Sequence, residues 1–231
     1  MTVAALEDLK KRLDAAGRVP IFPLPDVVFF PDTTLPLHIF EPRYRRMTED
    51  ALRSDRLIAM AVLKPGWERD YQGNPEVYRT ACAGVIEEEV RLPDGRFNIR
   101  LRGFARVRIG EFVQDQPYRV ATVRRLDDRN GAEGADFEED KRRLLVTCAS
   151  LLQEVAGERS RPVAFDDDVP FSVVVNTLCQ NLALEPALKQ GLLEIDDLRA
   201  RCRALSEILD QRWKEIALAQ ADRDDDSEAV H

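Results

Sequence analysis

The sequence has few of the residues that build catalytic centres. It contains only two histidines, His38 and His231, so a hydrolytic triad or a multi-histidine metal site would depend on His38 almost alone. None of the 11 glycines precedes a lysine, and no serine has a glycine two positions before it. These absences exclude a nucleotide-binding P-loop and a G-x-S-x-G nucleophile elbow. The sequence therefore predicts no catalytic residue and no cofactor, and His38, inside a strand-like run, is interpreted as structural or exposed.

Metal-binding and redox motifs are also missing. The four cysteines form no C-x-x-C pair, which excludes zinc ribbons and thioredoxin-like sites. Cys148, Cys179 and Cys202 lie among apolar residues at helical spacing, which predicts buried thiols. The acidic run at residues 166–168 could bind a cation, but it directly precedes Pro170 and a predicted helix, where acids favour the helix N-terminus. We therefore predict no metal site.

No apolar run is long enough to cross a bilayer; the three valines at 173–175 are one example of a short run. Composition is otherwise that of a soluble globular protein: 231 residues, 44% hydrophobic, 33% charged and only 7% aromatic. Residues 1–13 predict a short amphipathic helix, not a signal peptide. A cytoplasmic protein without membrane association is therefore expected. The net charge of −8 provides no general attraction to nucleic acid.

The apolar pattern divides the chain into a β-rich part and a helical part. Short apolar stretches separated by Pro, Gly and Asp clusters predict seven strands and a small barrel or sandwich, with one helix entering at Glu41-Pro42. The predicted strands are Val19–Leu24, Leu35–Phe40, Leu57–Leu63, Ala81–Ile86, Phe97–Leu101, Val107–Phe112 and Tyr118–Leu126. An acidic segment follows, with seven acids among residues 127–140.

Helical spacing dominates the remaining sequence. A capping box at Asp136 and Glu139 predicts a helix that ends at Gly157, and further helices are predicted over Pro170–Leu182, Pro186–Leu193 and Ile195 to about Ala219. The predicted domains are a β barrel over 1–126, an acidic linker over 127–135, a helical bundle over 136–219 and a disordered acidic tail over 220–231.

Two features could support binding. Arg96, Arg100, Arg102, Arg106 and Arg108 predict a basic ribbon on one sheet face, which could contact RNA. The favoured interpretation is a solvated face neutralised by glutamates 87–89. A tight turn at Asp94-Gly95 would place Glu89 opposite Arg100, whereas a turn with a glycine bulge would place Glu88 there.

The second feature is the loop from Lys64 to Tyr78. It carries Trp67, Tyr71 and Tyr78 among glycines and prolines, a composition typical of protein recognition. The equally weighted alternative is that these rings close the barrel core. If they form a partner-binding site, replacing Trp67 or Tyr71 with alanine leaves the melting temperature nearly unchanged and weakens partner capture.

The N-terminal motifs resemble those of a known family. They are Ile21–Leu24, Val27–Pro31, Leu35–Tyr44 and Met47, followed in order by Gly84–Ile86, Leu92–Arg96, Gly103–Val107, Pro117-Tyr118 and Leu188–Glu194. Together they resemble the N-terminal, substrate-binding domain of Lon proteases over most of the chain.

The resemblance implies an α+β fold, with a PUA-like β pseudo-barrel followed by a C-terminal helical bundle. It also implies that the motif residues are structural, with Phe40, Tyr44 and Met47 fixing the helix to the barrel. The residues concerned are Phe22, Pro23, Leu24, Pro31, Phe40, Glu41, Pro42, Arg43 and Tyr44.

The ATPase and protease modules of Lon proteases do not follow in this sequence. The leading hypothesis is thus a stand-alone, non-enzymatic module that binds unfolded polypeptide or a protein partner. The alternative is an RNA-binding PUA-like protein that uses the arginine ribbon. No oligomeric state is predicted.

Overall fold

The computed structural model describes residues 2–70, 73–129, 137–156, 165–166 and 169–228, without the side chains of 70, 151–156 and 217–228. The chain forms two compact units: Met1–Asp128 with Asn176–Asp196, and Arg129–Val175 with Asp197–His231. Residues 176–196, which the sequence assigns to the helical bundle, thus belong to the first unit. The other predicted domain boundaries stay a prediction.

The first unit is built from strands and short helices. Helix α1 is capped at its start by the Thr2 side chain and ends at Gly17, whose φ of 61° suits glycine. Helix α2 begins with Pro42, which needs no backbone N–H there. The elements are α1 Val3–Ala16, β1 Arg18–Leu24, β2 Thr34–Ile39, α2 Pro42–Leu52, β3 Leu57–Val62, β4 Thr80–Arg91, β5 Phe97–Gln114, β6 Val120–Leu126 and α5 Pro186–Glu194.

Five of the strands close into a ring in the order β1-β3-β4-β5-β6, because β6 pairs with both β5 and β1. Only the β1–β3 pairing is parallel among these strands. Strand β2 adds to the first half of β5, from Phe97 to Arg102. The mixed α+β fold predicted from the sequence is confirmed.

Strand β3 is buried on both faces and separates two apolar clusters. Leu57, Ala59 and Ala61 belong to a cluster that includes Leu9 and Leu13 of α1. Ile58 and Met60 belong to another, which includes Tyr44, Met47 and Ala51 of α2. Alternate side chains of a strand point to opposite faces, so one short strand supports both helices.

A β-bulge changes the direction of side chains in the middle of β5. Gly103 pairs with Gly84 and Ala105 pairs with Ala83, so Phe104 is an extra residue in this strand. A Cβ atom on Gly103 would lie 2.3 Å from the Phe30 carbonyl oxygen. The predicted strands Phe97–Leu101 and Val107–Phe112 are therefore one strand, because the bulge absorbs the residue that interrupts the alternation.

The β4–β5 hairpin confirms one of the two predicted registers. Glu88 lies opposite Arg100, as expected for a turn with a glycine bulge. The Leu92 N–H donates to the Arg96 carbonyl at 2.8 Å, and Gly95 has a φ of 80°. The tight-turn register is wrong, because the Pro93 nitrogen carries no hydrogen for a narrow hairpin.

The second unit contains α3 Glu138–Ala156, the first residues of α4 Phe171–Asn181, and α6 Leu198–Glu228. The rings of Phe137 and Phe171 stack with centroids 4.9 Å apart, and Arg199 pairs with Asp140 at 2.8 Å. Helix α6 continues past Ala219, where the sequence places its end; alanine at 217, 219 and 221 favours this continuation. The backbone over 220–228 is thus helical where a disordered tail is predicted.

All four cysteines are free thiols with buried side chains, which confirms the prediction for Cys148, Cys179 and Cys202. Of the helices described, none is long and apolar enough to cross a membrane.

Candidate functional site

The loop from Lys64 to Tyr78 extends the β3–β4 pairing. Leu63 forms an antiparallel bridge with Val77, and the Tyr78 N–H donates to the Val62 carbonyl at 2.9 Å. The Lys64 N–H donates to the Glu76 carbonyl at 2.8 Å, and the two side chains form a salt bridge of 2.8 Å. These bonds fix both ends of the loop to the barrel.

One wall of the loop lines a cavity of about 240 Å³, here named the tryptophan cavity. Trp67 opens a 3₁₀ turn, Trp67–Asp70, and packs half-buried against the apolar cluster of α1. Tyr78 lines the same cavity; Tyr71 lies outside the described residues. The lining residues are Pro25, Val62, Leu63, Pro65, Trp67, Tyr78, Glu185, Pro186 and Ala187. Trp67 therefore has features of both a core residue and a binding residue, because it packs on the core and also lines an open cavity.

The other wall of the loop lines a cavity of about 330 Å³, here named the arginine cavity. Leu63 borders both cavities. The lining residues are Pro23, Pro42, Arg43, Tyr44, Leu63, Gly73, Asn74, Pro75, Asp115, Gln116, Pro117, Tyr118 and Arg119. Four residues of the N-terminal motif, Pro23, Pro42, Arg43 and Tyr44, thus line a concave surface in addition to any structural role.

Arg119 is the most deeply buried charged residue of the arginine cavity, with 9% of its surface exposed. Its guanidinium lies 3.7 Å from the centre of the Phe112 ring, and its Nη1 donates to the Pro75 carbonyl at 2.8 Å. Its buried Nε finds no hydrogen-bond acceptor among the described residues. Burial lowers the pKa of Arg119 from its usual range, because the charged form loses hydration.

Arg43 and Tyr118 complete the polar lining. Arg43 donates from Nε to Glu41 at 3.0 Å, and its guanidinium lies 4.6 Å from the centre of the Tyr44 ring. The Tyr118 hydroxyl donates to Asp50 at 3.0 Å, and burial together with this bond raises the pKa of Tyr118 to about 12. The Tyr118 hydroxyl is thus held as a neutral donor at physiological pH.

Several residues of the N-terminal motif lie in the core, whereas the structural role of the whole motif stays a prediction, and Pro42 is exposed. Phe22 packs on Tyr44 with ring centroids 4.3 Å apart, and Pro31 and Met47 are buried. Phe40 is 59% exposed and stacks beside His38, so the prediction that it fixes α2 to the barrel is wrong. The alternation of β2 explains this, since Ile39 faces the core and its neighbour faces outward.

His38 is exposed, as predicted, and its ring nitrogens contact Asn98 at 2.7 Å and Arg96 at 3.2 Å. The described part of the chain has no group of three His, Cys, Asp or Glu side chains able to hold a metal ion. Of the acidic run before α4, only Asp166 is described, and its carbonyl accepts from the Val169 N–H at 3.0 Å.

The arginine ribbon divides into two parts. Arg100 pairs with Glu88 at 2.6 Å and with Glu87 at 3.4 Å, which confirms the neutralised face. Arg106 is 1% exposed and pairs with Asp128 at 2.7 Å and Asp196 at 2.9 Å. The prediction that Arg106 continues the ribbon is wrong, because the bulge turns it to the face of Cys82.

Arg119 is a residue that sequence reasoning missed. Its only signal is position, directly after the matched Pro117-Tyr118 pair, since one arginine between two strands has no distinctive pattern. Burial of Arg119 depends on Phe112 and Pro75, which lie 7 and 44 positions away in the sequence.

The architecture is thus a closed five-stranded barrel followed by helices, with two cavities beside the loop from Lys64 to Tyr78. Residues 18–211 match the family model of the substrate-binding domain of the ATP-dependent protease La (LON), and the chain belongs to this family. The match covers that domain and not the catalytic modules.

Whole proteases are among the relatives. The chain is 30% identical to Lon protease from Dictyoglomus thermophilum over 222 residues and 29% identical to Lon protease from Parabacteroides distasonis over 225. Each alignment covers 92% of this chain and 26% of the relative. The chain thus spans about a quarter of the length of these curated relatives.

Solved structures share the fold. The N-terminal domain of Mycobacterium avium complex Lon protease superposes with a TM-score of 0.62 at 17% identity, covering 84% of this chain and 98% of that one. A Lon N-terminal domain protein from Xanthomonas campestris gives a TM-score of 0.58 at 22% identity, covering 81% and 96%.

Proposed function

We propose that this chain is a substrate-recognition module that binds unfolded polypeptide segments or a protein partner in the cytoplasm, and that it performs no catalytic step itself. The observation that carries the proposal is the pair of cavities on either side of the loop from Lys64 to Tyr78. Membership of the substrate-binding domain family supports it.

The lining of the cavities suits extended polypeptide. Proline and aromatic rings offer rigid apolar surface at small entropic cost, and such residues are typical anchors of protein-binding sites. Because Leu63 borders both cavities, a single extended segment can contact Trp67 in one and Tyr44 in the other. We propose Trp67, Tyr71 and Tyr78 as contact residues.

Binding of an unfolded client tests the proposal. Fluorescence anisotropy of a labelled, permanently unfolded protein should show saturable binding, and no binding at high micromolar concentration would contradict the proposal. Trp67→Ala should weaken binding about fivefold or more, as expected for removal of an aromatic anchor. Because Trp67 packs half-buried on the core, the same change should cost about 1–2 kcal/mol of stability, less than a fully buried aromatic.

Trp213 provides the matched control. It is the second of two tryptophans, is 46% exposed and lies on α6 in the other unit. Trp213→Ala should leave client affinity unchanged. An equal loss in both variants would show that the effect is not specific to the loop.

A further inference from the structure

Arg119 differs from Arg106, the other deeply buried arginine of the barrel, in how its charge is compensated. Arg106 satisfies its charge with two carboxylates of its own chain. Arg119 forms no salt bridge among the described residues, and its one hydrogen bond goes to the neutral carbonyl of Pro75. A desolvated cation without a paired anion is costly, because the Phe112 ring and the Pro75 carbonyl replace only part of its lost hydration.

The carboxylates near the arginine cavity form no direct ion pair with Arg119 among the described residues. Glu41 is held by Arg43 at 3.0 Å. Asp115 lines the cavity and its negative charge favours the charged form of Arg119, but Asp115 is exposed and makes no salt bridge with it, and Arg79 adds positive charge nearby. The deep end of the cavity is therefore positive, and its rim carries negative charge.

The volume and walls of the cavity suit a small part of a polypeptide. At about 330 Å³, it falls within the range of roughly 300–1,000 Å³ found for ligand cavities. Pro23, Pro42, Tyr44 and Tyr118 line its sides with rings. Apolar surface beside a charge strengthens its interaction with an opposite charge.

We propose that the arginine cavity binds a carboxylate of the recognised polypeptide, with Arg119 as the principal partner and Arg43 in support. This inference rests on the proposed function and names the chemical group that the site selects. The carboxylate is that of an acidic side chain or of a chain terminus, since both present the same two oxygens to a guanidinium. The negative charge of Asp115 at the cavity favours this single charge over the double charge of a phosphate.

Matched peptides test the inference on the full chain. One labelled peptide is made with a free C-terminus and as the amide, and a second, amidated, carries a central Glu or Gln. We expect the acidic member of at least one pair to bind about tenfold more tightly, as charge-assisted hydrogen bonds do. Discrimination in the first pair identifies a terminus, and discrimination in the second identifies a side chain; either supports the inference.

Substitutions locate the effect. Arg119→Met should abolish the discrimination while binding of the neutral member persists. Should this variant unfold, Arg43→Met should reduce the discrimination. Sodium acetate added to the natural protein should weaken binding of the acidic member more than sodium chloride of equal concentration. Arg100→Met, which removes one exposed charge from β5, is the control and should keep the full discrimination.

The failures of the two proposals are distinguishable. Equal binding of both members in both pairs overturns the carboxylate inference and leaves polypeptide recognition standing. Absence of binding for every peptide and for an unfolded protein overturns both. A phosphoserine peptide that binds more tightly than its glutamate equivalent overturns the choice of carboxylate over phosphate.

Discussion

Arg100 and Arg106 lie on the same strand, on either side of the bulge at Gly103, and their surroundings are opposite. Arg100 is exposed among the glutamates of β4. Arg106 is buried and holds Asp128, Asp196 and the Leu193 carbonyl, the last at 3.0 Å. Arginine therefore forms exposed ion pairs in the first half of β5 and buried ion pairs in the second half.

The difference shows how one extra residue in a strand changes which sheet face the following side chains occupy. A bulge reverses the face on which later side chains lie, so the alternation that neutralises Arg100 cannot be continued to Arg106. Exposed ion pairs contribute little to stability, whereas removal of one partner from a buried pair is costly. The two halves of β5 should therefore respond differently to the same substitutions.

Gly103→Ala should have the largest effect on stability, because it disturbs the bulge that separates the two halves of β5. The new methyl group would meet the Phe30 carbonyl at 2.3 Å, and backbone cannot move aside as a side chain can. We expect a loss of about 3 kcal/mol or more in the free energy of unfolding, measured with urea.

Gly191→Ala is the control for that experiment. Outside the backbone of its own helix turn, no described neighbour lies within 4 Å of the added methyl group, and the residue is inside helix α5. This change should stabilise the protein by about 0.5–1 kcal/mol. A mild effect of Gly103→Ala would show that the bulge can relax.

Arg106→Met should have the next largest effect on stability, and it tests the buried half of β5 directly. It leaves two carboxylates and one carbonyl without their donor, but both carboxylates can reach water, since Asp196 is 41% exposed and Asp128 20%. We expect a cost of about 2–3 kcal/mol, below the range for fully buried pairs.

The equivalent change on the exposed half, Arg100→Met, should cost about 0.5 kcal/mol or less. Thermal unfolding of both variants provides the measurement. Equal destabilisation would mean that burial of Arg106 adds nothing to its role.

Asp32→Asn should have a smaller effect that depends on pH. Asp32 lies beside the bulge, where its N–H donates to the Gly103 carbonyl at 3.0 Å, and its φ of 64° suits asparagine. Burial raises the pKa of Asp32 in the folded state, and the Asn176 amide, which donates to it at 3.5 Å, only partly offsets this.

The raised pKa fixes the sign of this dependence. The folded state holds the Asp32 proton to higher pH than the unfolded state, so the natural protein loses stability as pH rises from about the ordinary value of 3.8 through the folded pKa. Asn cannot ionise, so the variant should gain relative stability over that window and keep it at neutral pH. Urea titrations at pH 3.5, 5 and 7 measure the difference; a constant difference would contradict the assignment.

Phe40→Ser should have the smallest effect. The ring is 59% exposed, so its removal should change the free energy of unfolding by about 0.5 kcal/mol or less. Tyr44→Ser, at a buried position of α2, is the contrast and should cost about 3 kcal/mol or more. A large loss at Phe40 would restore the view that it anchors α2.

Local signals predicted the elements well. Proline at the start of α2, apolar runs in β1 and β3, and helical spacing in α5 are all set by neighbours in the sequence. The bulge was missed because Gly103-Phe104 resembles an interruption between two strands. Which face a residue occupies after a bulge depends on pairing with a partner strand, and a single sequence does not contain that register.

The candidate site was predicted in part. Aromatic residues in a long loop identified Trp67 and Tyr78, which the structure places at one cavity. The arginine cavity gave no signal, because its lining comes from five separate segments of the chain. Burial of Arg119 depends on contacts that exist only after the barrel has closed.

The discontinuity of the first unit has a consequence for synthesis of the chain on the ribosome. The barrel strands are complete at Leu126. However, the Phe30 N–H donates to the Gln180 side chain, the Thr80 carbonyl accepts from Gln190, and Arg106 pairs with Asp196. Residues 129–175 must emerge before these partners do.

The barrel of a nascent chain should therefore remain incompletely stabilised until residue 196 has left the exit tunnel of the ribosome. Loop-closure entropy grows only logarithmically with the length of the intervening segment, so the delay comes from translation time rather than from the cost of returning. The mechanical force that a folding nascent chain exerts, and the resistance of the barrel to protease, should consequently both appear late in translation and in a single step.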